Sequence, residues 1–236
     1  MQKLVYALWR DPRMDSATFC RRVREEVGAG LVELGAHGVQ VNVADADARG
    51  AAPSFGACRP QMEAFVSIWI DSANGAWRKP FDKQLGSLGG RVAGYVVGES
   101  RPMHNTRFVV ASGERTPGFA QVALFRRPAQ LDYRAWLEIW LESHTQLAID
   151  TQDTFLYVQN IVARPLGFDA PAYDAIVEEG FPPAAFGNTD AFFDAAGDLD
   201  KSARNQQLMR ESCERFIDYR TIDVVQTSQY VLKAPA

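Results

Sequence analysis

Several features that often reveal a function are scarce or missing in this 236-residue chain. It has only three cysteines, Cys20, Cys58 and Cys213, which are scattered and odd in number. This spacing argues against a disulfide framework and a thiolate metal site, and favours small apolar fillers in a reducing compartment. The patterns HxxxH, HExxH, GxGxxG, GxxxxGK and GxSxG are all absent. Metalloprotease, dinucleotide, P-loop and serine-hydrolase chemistry therefore have no support.

Long runs of basic residues and of apolar residues are also missing. The chain carries 25 Lys and Arg residues against 29 Asp and Glu, a net charge of -4, without a basic segment. We therefore expect neither a nucleic acid nor an anionic membrane as partner. No apolar run reaches the roughly 18 residues that span a bilayer. Because the chain opens on a strand-like segment without signal-peptide character, we expect a cytoplasmic protein.

An internal repeat is what the sequence does have. The segment YALWRDP at 6–12 returns as VALFRRP at 122–128, an offset of about 116 residues. Each copy is followed by an aspartate, Asp15 or Asp132, and by an aromatic residue four positions later, and we predict that Asp15 caps the helix that it precedes. The offset is far longer than the roughly 20 to 50 residues of solenoid repeats, so it indicates duplication of a whole domain. We predict domains at 1–112 and 113–236.

Both copies predict the element order βαββαβ. Period-two alternation and turn residues predict strands at 4–9, 39–43, 63–70, 94–98, 120–125, 155–162, 173–179 and 221–232. Such a unit forms a four-stranded antiparallel sheet with both helices on one face. The bare faces need a partner, so we predict an α+β fold of two ferredoxin-like βαββαβ domains packed sheet to sheet as a fused dimeric α+β barrel. This arrangement is a pseudo-dimer within one chain, and a further homodimer is left open.

His144 is the strongest candidate for chemistry. It follows Trp136 and Trp140 at successive four-residue steps, so all three lie on the buried face of one helix. The first copy has Val27 at the matching position, and the scaffold therefore does not require a histidine. A desolvated histidine with a pKa at or below neutrality can exchange a proton with an apolar ligand. The alternative is a core histidine that is hydrogen-bonded to the backbone.

Glu178 is the second candidate. Glu178 and Glu179 match Ser67 and Ile68 of the first copy, and neighbouring strand residues face opposite ways. One of the two acids must therefore point inward, where it needs a partner or has a raised pKa. We assign this role to Glu178. The alternative is a strand end where both acids reach water.

Further residues of the second copy complete the candidate site. Tyr157 replaces Val39 and can orient a ligand oxygen. Asn42 is matched by Asn160, which is more typical of a shared scaffold role such as a hydrogen bond across the sheet interface. Trp136 and Trp140 are the expected walls. The apolar lid over the pocket would come from three aromatic loop residues, Phe168, Phe181 and Phe186.

These motifs resemble the EthD-domain family of dimeric α+β barrel proteins. The opening strand and Pro turn at 3–12 with Phe19, and more fully 122–128 with the tryptophans and His144, carry the resemblance. It implies a ferredoxin-like fold and small cofactor-independent enzymes that act on aromatic, polyketide-like or other apolar metabolites. Some distant barrel relatives bind haem through a histidine. The first copy departs from the pattern because it lacks the histidine.

The sequence thus predicts an enzyme, a lyase or isomerase, that uses no metal and no cofactor. Its reaction would be dehydration, isomerisation, cyclisation or C–C or C–O cleavage of a hydrophobic oxygenated small molecule that can be aromatic. His144 would be the general acid/base, Glu178 its complementary acid and Tyr157 a hydrogen-bond donor. The alternatives are a non-catalytic small-molecule binding or accessory protein, and a haem protein with His144 as axial ligand.

Overall fold

The computed structural model describes residues 1–235 and centres on a closed antiparallel barrel. The first half contains β1 (Gln2–Leu8), α1 (Ser16–Arg22), α2 (Ala29–Glu33), β2 (Gly38–Val43), β3 (Phe55–Gly56), β4 (Ala64–Ile70), α3 (Gly75–Leu85) and β5 (Val92–Met103). The second half contains β6 (Phe119–Phe125), α4 (Tyr133–Leu137), α5 (Thr145–Thr151), β7 (Leu156–Pro165), β8 (Ala175–Phe181), α6 (Thr189–Phe192), α7 (Leu199–Glu214) and β9 (Asp223–Lys233).

Eight of the strands form the barrel in the order β2-β4-β1-β5-β7-β8-β6-β9, and β2 pairs with β9 to close it. The two-residue β3 pairs with the first residues of β9, ahead of the part of β9 that pairs with β2. Each half therefore contributes four strands in an equivalent order. The halves do not meet through their faces alone, because β5 pairs with β7 and β2 with β9 along hydrogen-bonded edges. Closure removes the exposed edges that two separate sheets would leave.

The first helix of each half begins and bends in the same way. The Asp15 carboxylate accepts a hydrogen bond from the Thr18 amide at 2.8 Å, and that of Asp132 accepts one from the Ala135 amide at 2.9 Å. Both are N-caps of the type that the sequence predicts for Asp15. Each helix then passes through a π-helical turn, Val23–Gly28 or Glu138–His144, before it resumes as an α-helix.

The first strands of the two halves match with a shift of one residue relative to the sequence repeat. Tyr6 packs under the helices of the first half, whereas Val122, its match by sequence, points into the barrel. The structural equivalent of Tyr6 is Ala123, at an offset of 117 residues, which is also the offset between Asp15 and Asp132. The later equivalences hold, since Ser67 pairs with Val5 as Glu178 pairs with Val122.

Three large hydrophobic clusters fill most of the interior of the molecule. One lies under the helices of each half, and the third lies inside the barrel and takes residues from both halves. The barrel strands are therefore covered on both faces, which explains why β4 and β8 are buried along their whole length.

A carboxylate is held in the polar part of the barrel interior. Glu178 on β8 accepts hydrogen bonds from Gln40 at 2.7 Å, Asn42 at 2.8 Å and Gln229 at 2.6 Å. The first two donors lie on β2 and the third on β9, so the carboxylate ties β8 to the strands that close the barrel. The hydrogen bond across the interface that the sequence predicts for Asn42 is confirmed.

We predict that Glu178→Leu lowers the free energy of unfolding by about 3 kcal/mol, because the amides of Gln40, Asn42 and Gln229 all lose an acceptor in the barrel interior. Urea denaturation at pH 7 measures the change. Glu178→Gln should cost less, since its carbonyl keeps one acceptor. The control is Glu138→Leu at an exposed helix position, where a change within about 0.5 kcal/mol is expected. Equal stability of Glu178→Leu and wild type would contradict the structural role.

Candidate active site

A cavity of about 720 Å³ lies in the second half, between the outer face of the sheet and the helices. Its sheet wall includes Ala123, Phe125, Tyr157, Val177 and Glu179, and its helix wall includes Trp140, His144, Met209, Cys213 and Phe216. Aromatic and aliphatic side chains make up most of this surface. A few polar groups project from it, which is the usual composition of a small-molecule site.

The roof of the cavity comes from the first half. Residues 50–53 and Phe55 line it, and Phe55 is held because β3 pairs with β9. The amide of Gly187 donates to the carbonyl of Ala51 at 2.8 Å, and Gln226 donates to the carbonyl of Pro53 at 3.2 Å. The loop that the sequence shows only as small, turn-forming residues therefore completes the site of the other half.

His144 lies on the cavity wall, as the sequence predicts, at the end of the π-helical turn. Its Nδ1 is 2.9 Å from the Ser212 hydroxyl on α7, and its ring centroid is 4.6 Å from that of Phe216. The hydrogen bond of His144 is therefore made to a side chain and not to the backbone, as the alternative would have it. Burial, with a smaller effect from the charge of Arg215, lowers the pKa of His144 to about 4. The imidazole is neutral at pH 7, and Nε2 is the nitrogen that Ser212 leaves free.

Glu179, rather than Glu178, is the acid on the cavity wall. Gln121 donates to its carboxylate at 3.0 Å, and Gln226 in turn donates to the Gln121 carbonyl oxygen at 3.0 Å. Burial raises the pKa of Glu179 to about 7, although the Gln121 hydrogen bond opposes the rise. At neutral pH the group is therefore present both as acid and as carboxylate, which suits a general acid/base.

The structure corrects the choice of Glu178 as the partner of His144. Successive residues of β8 point to opposite faces, so Glu178 enters the barrel and Glu179 enters the cavity. Both faces of β8 are buried, one by the opposite strands and one by the helices. Alternation alone shows that the two acids face different ways, and no signal in the sequence tells which face holds the ligand.

Tyr157 also reaches the cavity, beside Glu179. The two residues are paired across β7 and β8, and burial followed by the nearby Glu179 charge raises the pKa of Tyr157 well above its usual value. The phenol therefore stays protonated and can only donate or accept a hydrogen bond. Two buried polar atoms of the lining, Trp140 Nε1 and Gln152 Oε1, have no hydrogen-bond partner among the residues that the structure describes.

The remaining aromatic candidates lie outside the cavity lining. Trp136 packs behind Trp140 with ring centroids 5.1 Å apart, and its indole N–H donates to the Phe216 carbonyl at 3.1 Å. Phe181 stacks on Phe192 at 4.0 Å between ring centroids. Phe186 and Phe168 are exposed. The predicted lid of Phe168, Phe181 and Phe186 is therefore replaced by the first-half loop together with Phe192 and Phe193.

The first half has aliphatic residues at the equivalent positions. Val27, Val39 and Ile68 stand where the second half has His144, Tyr157 and Glu179. All three are fully buried in one continuous hydrophobic cluster. The polar groups are consequently a property of the second half alone.

Residues 1–235 show neither a metal-binding cluster nor a membrane-spanning helix. No group of three or more His, Cys, Asp or Glu side chains in this range is placed to hold a metal ion. No helix in the same range combines the length and the apolar character needed to cross a membrane.

The chain matches no protein-family model and no curated protein in sequence. Its structure resembles that of an anthrone oxidase-like protein, with a TM-score of 0.57, 10% identity and coverage of 100% of this chain and 95% of the other. It also resembles a protein from Lactobacillus acidophilus NCFM that is named as a candidate monooxygenase, with a TM-score of 0.51, 9% identity and coverage of 99% and 97%.

A second candidate monooxygenase, from Fusobacterium nucleatum, gives a TM-score of 0.51 at 10% identity, with coverage of 98% and 92%. At these identities the likeness concerns the fold. The shared fold is α+β, with a closed antiparallel barrel of eight strands. Both halves of the barrel are supplied here by one chain.

We predict that the two buried groups give the free energy of unfolding opposite dependences on pH. Glu179 keeps its proton in the folded state between pH 4.5 and about 7, so its contribution falls as pH rises through this window. His144 stays neutral when folded between pH 6.5 and about 4, so its contribution falls as pH drops. Each amounts to about 3 kcal/mol at full effect.

Urea denaturation between pH 4 and 8 separates the two effects. They largely cancel in the wild type, whereas Glu179→Gln should become more stable with rising pH up to about 6.5, and His144→Gln should become less stable from about 4.5 to 7. Profiles of both variants parallel to that of the wild type would contradict these protonation states.

Proposed function

We propose that the second-half cavity is the active site of an enzyme that transfers protons on a hydrophobic, oxygenated small molecule with an aromatic body. One observation carries the proposal: a carboxyl group with a pKa of about 7 and a neutral imidazole line the same largely apolar cavity. Groups with such displaced pKa values are concentrated in active sites. The absence of polar groups from the equivalent positions of the first half supports the same conclusion.

The cavity suits a planar ligand of moderate size. Its volume of about 720 Å³ lies within the usual range of roughly 300 to 1,000 Å³ for small-molecule sites. Phe125, Trp140 and Phe216 offer aromatic faces and edges to a ring system. The surroundings that disfavour the charged forms of His144 and Glu179 also disfavour a ligand with a charge in its centre.

Proton transfer is the chemistry that these groups can perform. The Glu179 carboxylate can remove a proton from an O–H or from a C–H next to a carbonyl, and its acid form can return a proton elsewhere. The free Nε2 of His144 supplies a second neutral acceptor, and the Tyr157 phenol donates to a ligand oxygen. Isomerisation, dehydration, cyclisation and retro-aldol cleavage all begin with such a step.

The finer classification is part of the same proposal. We infer an EthD-like protein with two ferredoxin-like domains, 1–112 and 113–236, and the equivalent strand orders and helix caps of the halves support it. The likeness to an oxidase-like protein and to candidate monooxygenases adds dioxygen as a co-reactant to be tested, because a carbanion formed by proton removal can also be oxidised by O₂.

We expect Glu179→Gln to lower kcat by about 10² to 10⁴, the usual contribution of a positioned acid or base. In the wild type, kcat/KM should fall about tenfold per pH unit below about 7, because protonation removes the base. Turnover is followed by absorbance and mass spectrometry over a panel of hydroxylated aromatic ketones that includes anthrone, with and without O₂. His144→Gln should also lower kcat.

Glu138→Gln is the matched control, since it removes an exposed acid from the same half and should leave the kinetics unchanged. Full turnover by Glu179→Gln would overturn its assignment as acid/base. Binding of the panel without consumption of any member would instead identify a binding protein.

A further inference from the structure

We propose that the indole N–H of Trp140 binds a ligand oxygen together with the Tyr157 phenol, so that the two donors hold a carbonyl or phenol oxygen that gains negative charge when the ligand loses a proton. This inference rests on the proposed function and names the ligand group that the site selects. It gives Trp140 a polar role in addition to that of an aromatic wall.

The first observation is the hydrogen bonding of the tryptophans. Four of the five are buried, and Trp77 is exposed. Three of the buried four donate through Nε1: Trp9 to the Pro60 carbonyl at 2.8 Å, Trp69 to Glu99 at 3.1 Å and Trp136 to the Phe216 carbonyl at 3.1 Å. Within residues 1–235, Trp140 Nε1 has no partner although its side chain is fully buried.

A buried donor without a partner is costly and is rare in folded proteins. The scaffold does not need an indole at this place. The structurally equivalent residue of the first half is Val23, which packs fully buried in its cluster. An unpaired N–H on a cavity wall is therefore best explained by a partner that arrives with the ligand.

The second observation is the position of the donor next to Tyr157. Both side chains line the cavity, and the Trp140 N–H lies near the phenol oxygen without reaching hydrogen-bond geometry, where it opposes the rise in the pKa of Tyr157. Glu179 is paired with Tyr157 across the strands, so the acid/base lies beside the two donors. A proton removed by Glu179 would leave negative charge where two preorganised donors can stabilise it.

This arrangement defines a substrate class. A ligand with an aromatic body and a carbonyl or phenol oxygen would satisfy the Trp140 N–H. The corresponding hydrocarbon would fill the same space and leave the donor unpaired. Sites built to hydrogen-bond a ligand group discriminate strongly against analogues that lack it.

The test compares Trp140→Phe with Trp136→Phe, using 2-naphthol and naphthalene as probes in equilibrium titrations followed by fluorescence. Trp140→Phe should weaken 2-naphthol binding about tenfold and leave naphthalene binding within about twofold, because only the indole N–H is lost. Trp136→Phe should leave the ratio of the two dissociation constants unchanged. It should lower Tm more than Trp140→Phe does, since its N–H is already paired in the free protein.

A spectroscopic measurement on the wild type does not depend on whether the variants fold. In ¹⁵N-labelled protein, one of the five indole N–H proton signals should move downfield with 2-naphthol and not with naphthalene. That signal should be missing from Trp140→Phe. An unchanged binding ratio in Trp140→Phe, or the absence of a shifted indole signal, would overturn this inference alone. Failure of both probes to bind the wild type would contradict the proposed function as well.

Discussion

Closure of the sheet is the constraint on which the rest of the structure depends. Because β2 pairs with β9 and β5 with β7, every barrel strand has neighbours on both sides, and each faces packed side chains above and below. One face of such a strand lies in the barrel interior and the other lies under the helices. On β8 these two environments differ in polarity. Glu178 is held by the amides of Gln40, Asn42 and Gln229 inside the barrel, and Glu179 faces a largely apolar cavity under the helices.

The two glutamates thus behave differently at adjacent positions because their surroundings differ. Three amide donors satisfy the hydrogen-bonding capacity of the first carboxylate and fix it in one geometry. One glutamine is too little to offset the desolvation of the second, so its pKa rises towards neutrality. The first acid ties the barrel strands together and the second is the acid of the proposed active site, and one step along the backbone separates them.

Much of this could be predicted from the sequence, and the failures have physical reasons. The strand and helix order, the Asp15 cap, the cross-interface role of Asn42, and the placement of His144, Trp140 and Tyr157 on one buried surface follow from local periodicity and from the comparison of the copies. Periodicity does not say which of two buried faces holds a ligand, so Glu178 was preferred to Glu179. Nor does it reveal contacts between distant segments, which explains why Phe168 was assigned to a lid whose place residues 50–53 occupy.

The roof of the cavity makes the two halves unequal and also inseparable. The acid, the imidazole and the phenol all come from the second half, yet the surface opposite them is anchored through β3 in the first. Substitutions in that loop would reshape the space available to a ligand without altering any reacting group. Selectivity and reactivity could therefore change independently, each through mutations in a different half of the chain.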